Sequence, residues 1–228
     1  MPRLRHIVPG VVAAALVAGL TLAARPLRSA HVAGAALAAP ALVDTTTDRA
    51  DAGRIQGSPS ATLWVIEGSD FQCPYCKMWH DSVYATMVKE YVNTGKIRFA
   101  FMNYPLSMHP YAKPAAEAAM CASVQGKFWP MHDALFATQT RWETLANPMP
   151  AFDSLAVKTG VNAAAWRKCV STHATADLVA ADLNRMRMRG AGSTPTFYIG
   201  DKMVITGAAP LSMFRDSLNK ALAKPAKR

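Results

Sequence analysis

Trp64-Val65-Ile66-Glu67-Gly68-Ser69-Asp70-Phe71-Gln72-Cys73-Pro74-Tyr75-Cys76-Lys77-Met78-Trp79-His80 is the stretch on which the rest of the chain depends. The apolar run from Thr62 to Ile66 reads as a buried strand, residues 68–72 as a short turn, and Cys73-Pro74-Tyr75-Cys76 as the opening of an uninterrupted helical stretch. Proline suits the first helical position, so Pro74 sets Cys73 at the cap and Cys76 one turn further on the same face. The two sulfurs can then close a small disulfide ring. Free amide N–H groups and the positive end of the helix dipole favour a thiolate at Cys73, while Cys76 lies nearer the core. Cys73 is the candidate nucleophile and Cys76 the candidate resolving thiol.

A bare C-x-x-C is equally half of a zinc site, so the pair needs support from elsewhere. Glu67 supplies some: it sits inside the apolar strand, where a carboxylate is costly unless it stays protonated or accepts protons. The bland alternative for Glu67 is a paired surface carboxylate. Thr194-Pro195-Thr196 supplies the rest, because it precedes the strand-like Phe197-Tyr198-Ile199-Gly200 and X-Pro is where cis peptides occur.

Taken together, these residues resemble a DsbA-family thioredoxin-fold thiol:disulfide oxidoreductase. The pieces that carry the resemblance are Glu67, residues 71–76, Tyr104-Pro105-Leu106 with His109-Pro110, Gln125-Gly126-Lys127-Phe128-Trp129 with His132-Asp133, and Thr194-Pro195-Thr196-Phe197. The resemblance implies that Cys73 is the nucleophile, that Glu67 exchanges protons with Cys76, that Pro74-Tyr75 is the tuning dipeptide, and that Thr194 beside a cis Pro195 contacts substrate backbone. It also implies a quinone-linked membrane reoxidase of the DsbB or VKOR kind. Tyr75 departs from the Pro-His dipeptide of the most oxidising relatives.

Residues 1–39 hold Arg3, Arg5, Arg25 and Arg28 and no acid, with eighteen uncharged residues from Ile7 to Ala24 between the two pairs. That pattern is a cleaved secretory signal or a retained membrane anchor, and places the chain outside the cytoplasm, in the periplasm or cell envelope. Removing the four arginines lowers the formal charge from +10 to +6. The remaining cations are scattered, except for Arg185-Met186-Arg187-Met188-Arg189 and the tail from Lys220 to Arg228. A solvated helix face and a frayed end explain these better than a nucleic-acid or lipid surface, so no nucleic-acid partner is expected. Residues 40–59, rich in Thr, Asp, Gly, Ser and Pro, read as a linker.

The element pattern leads to an α/β, thioredoxin-like fold with an inserted helical subdomain. After the Cys73 helix, Asn93-Thr94-Gly95 makes a stop and residues 96–102 a second core strand, completing a βαβ unit with a parallel pair. Helical patterns follow over 112–125, 128–139, 152–158 and 163–189, the last with a break near Ser171-Thr172. Two short strands, 196–200 and 202–206, meet at the hairpin pair Gly200-Asp201, and a helix over 211–222 closes the chain. Residues 60–106 with 190–224 form the core; residues 107–189 form the insert.

C-x-x-C claims one cysteine pair and leaves Cys121 with Cys169 in the insert, where related enzymes commonly carry a bridge. Two unrelated buried thiols are the alternative. Neither a metal nor a cofactor is expected, since Cys73 and Cys76 with His80 or His109 lack the fourth close ligand of a structural zinc site. His80, His109 and His132 read as surface or packing histidines, Ser69 and Asp70 as turn formers, and Phe128, Trp129 and Phe136 as insert core. Met78 and Trp79 suit a substrate groove or core packing equally. The expected function is a monomeric, exported oxidase that donates the Cys73–Cys76 disulfide to reduced or unfolded proteins. A reductase or isomerase using the same pair, or a non-enzymatic peptide-binding chaperone, are the rivals.

Overall fold

The computed structural model describes residues 45–223. The signal or anchor segment and the end of the basic tail lie outside them. Among the described residues a five-stranded sheet runs in the order β1-β3-β2-β4-β5, with β1 Ile55–Gln56, β2 Leu63–Ser69, β3 Ile97–Asn103, β4 Thr196–Ile199 and β5 Lys202–Thr206. β2 is central: it pairs parallel with β3 and antiparallel with β4. The βαβ unit enforces the parallel pair, and the hairpin at Gly200, whose φ of 61° suits glycine, sets the antiparallel β4–β5 edge.

Strand alternation sorts the core into two layers. Val65, Phe99, Phe197 and Ile199 face α2, the helical run over residues 74–92, together with the C-terminal helix over Leu211–Leu222. Ile66, Met102 and Tyr198 face the other way, against Met186 of a helix over Ala176–Met188. Gly68 lies on that second face, and a side chain there would meet the end of the Met186 side chain, which would have to move aside. α2 winds through two wide π-type turns, His80–Tyr84 and Val88–Val92.

Between β3 and β4 the chain is helical: α3 Ala112–Ser123, α4 Phe128–Ala137, α5 Gln139–Trp142, α6 Met149–Lys158, α7 Ala163–Ser171 and α8 Ala176–Met188. α3 is built of small residues, with Ala115, Ala118, Ala119 and Ala122 fully buried, so neighbouring helices approach its backbone closely. The Trp166 indole N–H reaches the Ala118 carbonyl at 3.0 Å. α7 and α8 are separated by a turn in which His173 takes φ 51°, close to the break expected at Ser171-Thr172.

The linker expected over 40–59 is corrected in its described part. Residues 46–53 form α1, capped by Thr45 and Asp48 in a reciprocal capping box, and β1 follows at once. Ala50 is fully buried and its carbonyl accepts from the Ser123 hydroxyl at 2.6 Å. Arg54 is buried and ion-paired with buried Asp182, which also accepts from the Asn103 backbone and side-chain N–H groups at 3.1 and 2.8 Å. The turn-forming composition of this stretch hid long-range partners that only the fold brings near.

Candidate active site

The C-terminal end of β2 delivers the chain into the site. Asp70, Phe71 and Gln72 make the turn, Cys73 caps α2 in extended conformation (φ −72°, ψ 124°), and Pro74 occupies the first helical position. The turn is locked from three sides. The Cys73 amide donates to the Asp70 carbonyl at 3.1 Å, the Gln139 side-chain amide donates to the Phe71 and Cys73 carbonyls at 2.6 and 3.1 Å, and the Gln72 side chain accepts from the Tyr111 amide at 2.7 Å.

Cys73 and Cys76 are free thiols and both are buried within the site. The Cys73 Sγ lies 3.6 Å from the Thr194 carbonyl oxygen, and the Thr194–Pro195 peptide is cis. The Asp70 amide points to the Cys76 Sγ at 3.5 Å. Hydrogen bonding from the Cys76 thiol, with further help from Thr194 and the amides of Cys76 and Tyr75, lowers Cys73 from 9.0 to about 6 against the opposing cost of burial. Cys76 moves the other way, because burial disfavours its thiolate and the Cys73 and Glu67 charges repel it. The Cys76 hydrogen bond to Cys73 and the burial of Cys76 therefore separate two chemically identical thiols into a stabilised thiolate and a retained thiol.

Glu67 lies on the same sheet face as Val65, opposite Phe101 of β3 and Phe197 of β4. It is fully buried, and burial raises it to about 8 against a lowering by the neighbouring Ser69 hydroxyl and by His80. A carboxyl in that setting holds a proton at neutral pH and can pass it to Cys76. On the helix that carries the sulfurs Tyr75 and Met78 are 59% and 54% exposed, and Met108, next to the His109 that contacts Asp70, is 76% exposed. Trp79, by contrast, is core, packed on Phe197 and Phe214.

Asp70 does more than form the turn expected of it. One carboxylate oxygen accepts from the Gln72 amide at 2.7 Å, while the other accepts from the Leu106 amide at 2.9 Å and contacts the His109 Nδ1 at 2.7 Å. This buried carboxylate ties residues 104–111 to the C-x-x-C turn. His109 is therefore a partner of the site's support, not a surface histidine. His132 is fully buried among aromatic rings, as a packing histidine would be, but its Nδ1 contacts Asp133 at 2.7 Å. Gln139 carries no motif of its own, and the long-range contacts of Asp70 and the pairing of Asp133 with His80 are seen only in the fold. In the insert, Cys121 and Cys169 are joined across α3 and α7.

A family profile described as Thioredoxin matches residues 49–219. The chain belongs to the thioredoxin family. Its solved structural relatives include the oxidised BdbD of Bacillus subtilis, at 24% identity and TM-score 0.68 over 76% of this chain and 95% of that one. The α-DsbA1 of Wolbachia pipientis aligns at 22% identity and TM-score 0.63 over 74% and 90%. Among curated proteins, disulfide bond formation protein D of Bacillus subtilis is 24% identical over 177 residues, covering 74% of this chain and 76% of that protein. A sodium/proton antiporter, NhaA 3 of Salinispora tropica, is 32% identical over 155 residues, 67% of this chain. The thioredoxin-family chain spans 22% of that antiporter's length. No helix among its described residues is long and apolar enough to cross a membrane.

Proposed function

We propose that the chain is an extracytoplasmic thiol:disulfide oxidase of the DsbA type, donating the Cys73–Cys76 disulfide to reduced proteins. Thiol–disulfide exchange is the chemistry of its DsbA-type relatives, and the direction rests on one observation, the lowering of Cys73 to about 6 beside a Cys76 held well above its ordinary value. A stabilised thiolate in the dithiol form makes the disulfide the higher-energy state, so the disulfide is readily passed on.

A substrate thiolate attacks the Cys73 sulfur, the Cys73–Cys76 bond breaks, and Cys76 leaves as a thiolate that takes the Glu67 proton. A second substrate thiolate then attacks the substrate sulfur of the mixed disulfide. Cys73 departs as its stabilised thiolate and the substrate gains the disulfide. Thr194 beside the sulfurs offers backbone contact to an extended substrate, while Tyr75, Met78 and Met108 offer apolar contact. Reoxidation then calls for a disulfide-bearing membrane partner of the DsbB or VKOR kind, and export follows from the arginine-flanked N-terminal segment.

The test is a pair of serine variants incubated with a reduced, unfolded protein. With a small disulfide supplied as the oxidant, Cys76→Ser should accumulate a mixed disulfide between Cys73 and the protein substrate, and Cys73→Ser should be inert. Oxidation that survives in Cys73→Ser would reject the assignment. Binding and aggregation suppression that persist without any thiol chemistry would favour the chaperone reading instead.

A further inference from the structure

Two imidazole nitrogens from different elements meet on one carboxylate oxygen beside the helix that carries the sulfurs. The His80 Nε2, from α2, lies 3.3 Å from the Asp133 Oδ1, and the His132 Nδ1, from α4, lies 2.7 Å from the same atom. The two rings stand 5.2 Å apart between centroids. Among the described residues these three side chains form the one group of His, Cys, Asp or Glu whose ligand atoms all lie within 4.8 Å of one another. Neither Cys73 nor Cys76 belongs to it.

The remaining contacts fix which ring atoms face the cluster. The His80 Nδ1 lies 3.2 Å from the Asp81 carboxylate, which Lys77 holds in turn at 2.8 Å. A neutral ring that gives its proton to Asp81 presents only a lone pair at Nε2. That lone pair faces the Asp133 oxygen, acceptor against acceptor, and the contact is favourable only with a cation between them. His132 is fully buried and its Nε2 has no hydrogen-bond partner among the described residues. Phe101 and Phe136 stand T-shaped against its ring, so Nδ1 is the edge left to meet a polar group.

We propose that His80, His132 and Asp133 form a binding site for Zn²⁺, which clasps the helix carrying Cys73 and Cys76 to the inserted helices. Two imidazoles and one carboxylate suit zinc, whereas Mg²⁺ and Ca²⁺ take oxygen ligands. Metal–ligand bonds of about 2.0–2.2 Å in a tetrahedron set the ligand atoms about 3.4 Å apart. The cluster brackets that spacing, with one pair at 2.7 Å and every ligand atom within 4.8 Å of the others. The Asp133 side chain is 54% exposed, so it can shift to widen its short contact with His132, and the fourth position opens to solvent. Asp81 supplies the outer carboxylate that orients a ligating histidine through its second nitrogen. His80 lies one turn after Cys76, its amide donating to the Cys76 carbonyl, so the ion stiffens the segment on which the sulfurs are mounted.

The test uses the untagged full chain in its disulfide form, freed of metal with a chelator, so that no cysteine thiolate competes for the ion. Calorimetric titration with Zn²⁺ should give one ion per chain at micromolar protein, undisturbed by excess Mg²⁺ and Ca²⁺, and the bound ion should raise the melting temperature. His80→Gln and Asp133→Asn leave the buried His132 and its aromatic packing in place. Each should weaken binding by more than about tenfold, a loss that removal of an outer partner alone can cause, and should abolish the thermal shift. His173→Ala, which touches the separate His173–Glu117 pair, should bind as the unaltered protein does. Absence of binding, a need for millimolar Zn²⁺, or undiminished binding in either ligand variant overturns the proposal and leaves a ring proton as the cation between His80 and Asp133.

Discussion

Acidification should strip the dithiol form of the stability it draws from the Cys73 thiolate. The folded value, about 6 against an ordinary 9.0, is depressed, so its contribution is complete above the unfolded value and is lost as pH falls through the folded one. With both states ionised the difference is worth about 4 kcal/mol. At pH 7 the folded thiol is ionised and the unfolded one is not, which leaves about 1.4 kcal/mol; by pH 5 neither is ionised and the contribution is close to zero. That pH 7 figure corresponds to about 30 mV toward the oxidising side. The assay is urea unfolding of the dithiol protein and of Cys73→Ser at pH 5, 7 and 9, with thiolate ultraviolet absorbance followed in parallel. The stability gap between the two proteins should open steadily with pH. A gap that is flat, or that widens toward acid, would refute the stabilised Cys73 thiolate.

Other substitutions probe the support around the sulfurs. Asp70→Ala leaves the part-buried Gln72 and Leu106 amides without their acceptor, so unfolding free energy should fall by about 2–4 kcal/mol, with looser protection of residues 104–111 in amide exchange. Asp182→Ala leaves the buried Arg54 guanidinium with the part-exposed Asp51 as its remaining acid partner and should cost about 3 kcal/mol in urea melts, the low end for a broken buried pair. Replacing Cys121 and Cys169 together by Ala reopens a loop with a sequence separation of 48, at a cost of about 4 kcal/mol on the chain-entropy estimate. In the native protein that bridge should outlast Cys73–Cys76 under graded dithiothreitol, as peptide mapping would read.

What was legible in the sequence was local or periodic. Pro74 after Cys73 announced a helix start, the apolar runs of β2 and β3 with a helix between them announced the parallel pair, and the bounds expected for the closing helix, 211–222, are those observed. The buried acid at Glu67 was legible because a carboxylate inside an apolar strand conflicts with its surroundings. Arg54 and Asp182 were not, since a buried ion pair far apart in sequence looks like two surface charges until the fold joins them. Asp70 was read only halfway: its Asx turn to Gln72 is local, whereas its bonds to Leu106 and His109 are not. α1 hid for a related reason, because Thr, Asp and Gly serve equally as caps and as linker residues.

The equilibrium potential of Cys73–Cys76 against a glutathione buffer at pH 7 tests the oxidase direction most directly. The expected value lies above thioredoxin's roughly −270 mV and extends toward the DsbA value of about −120 mV, with Tyr75 in place of histidine holding it short of that limit. The disulfide form should also oxidise a reduced, unfolded protein stoichiometrically without added glutathione disulfide. A potential at or below about −270 mV, with the protein recovered from its own compartment as the dithiol, would contradict the account and make the chain a reductase.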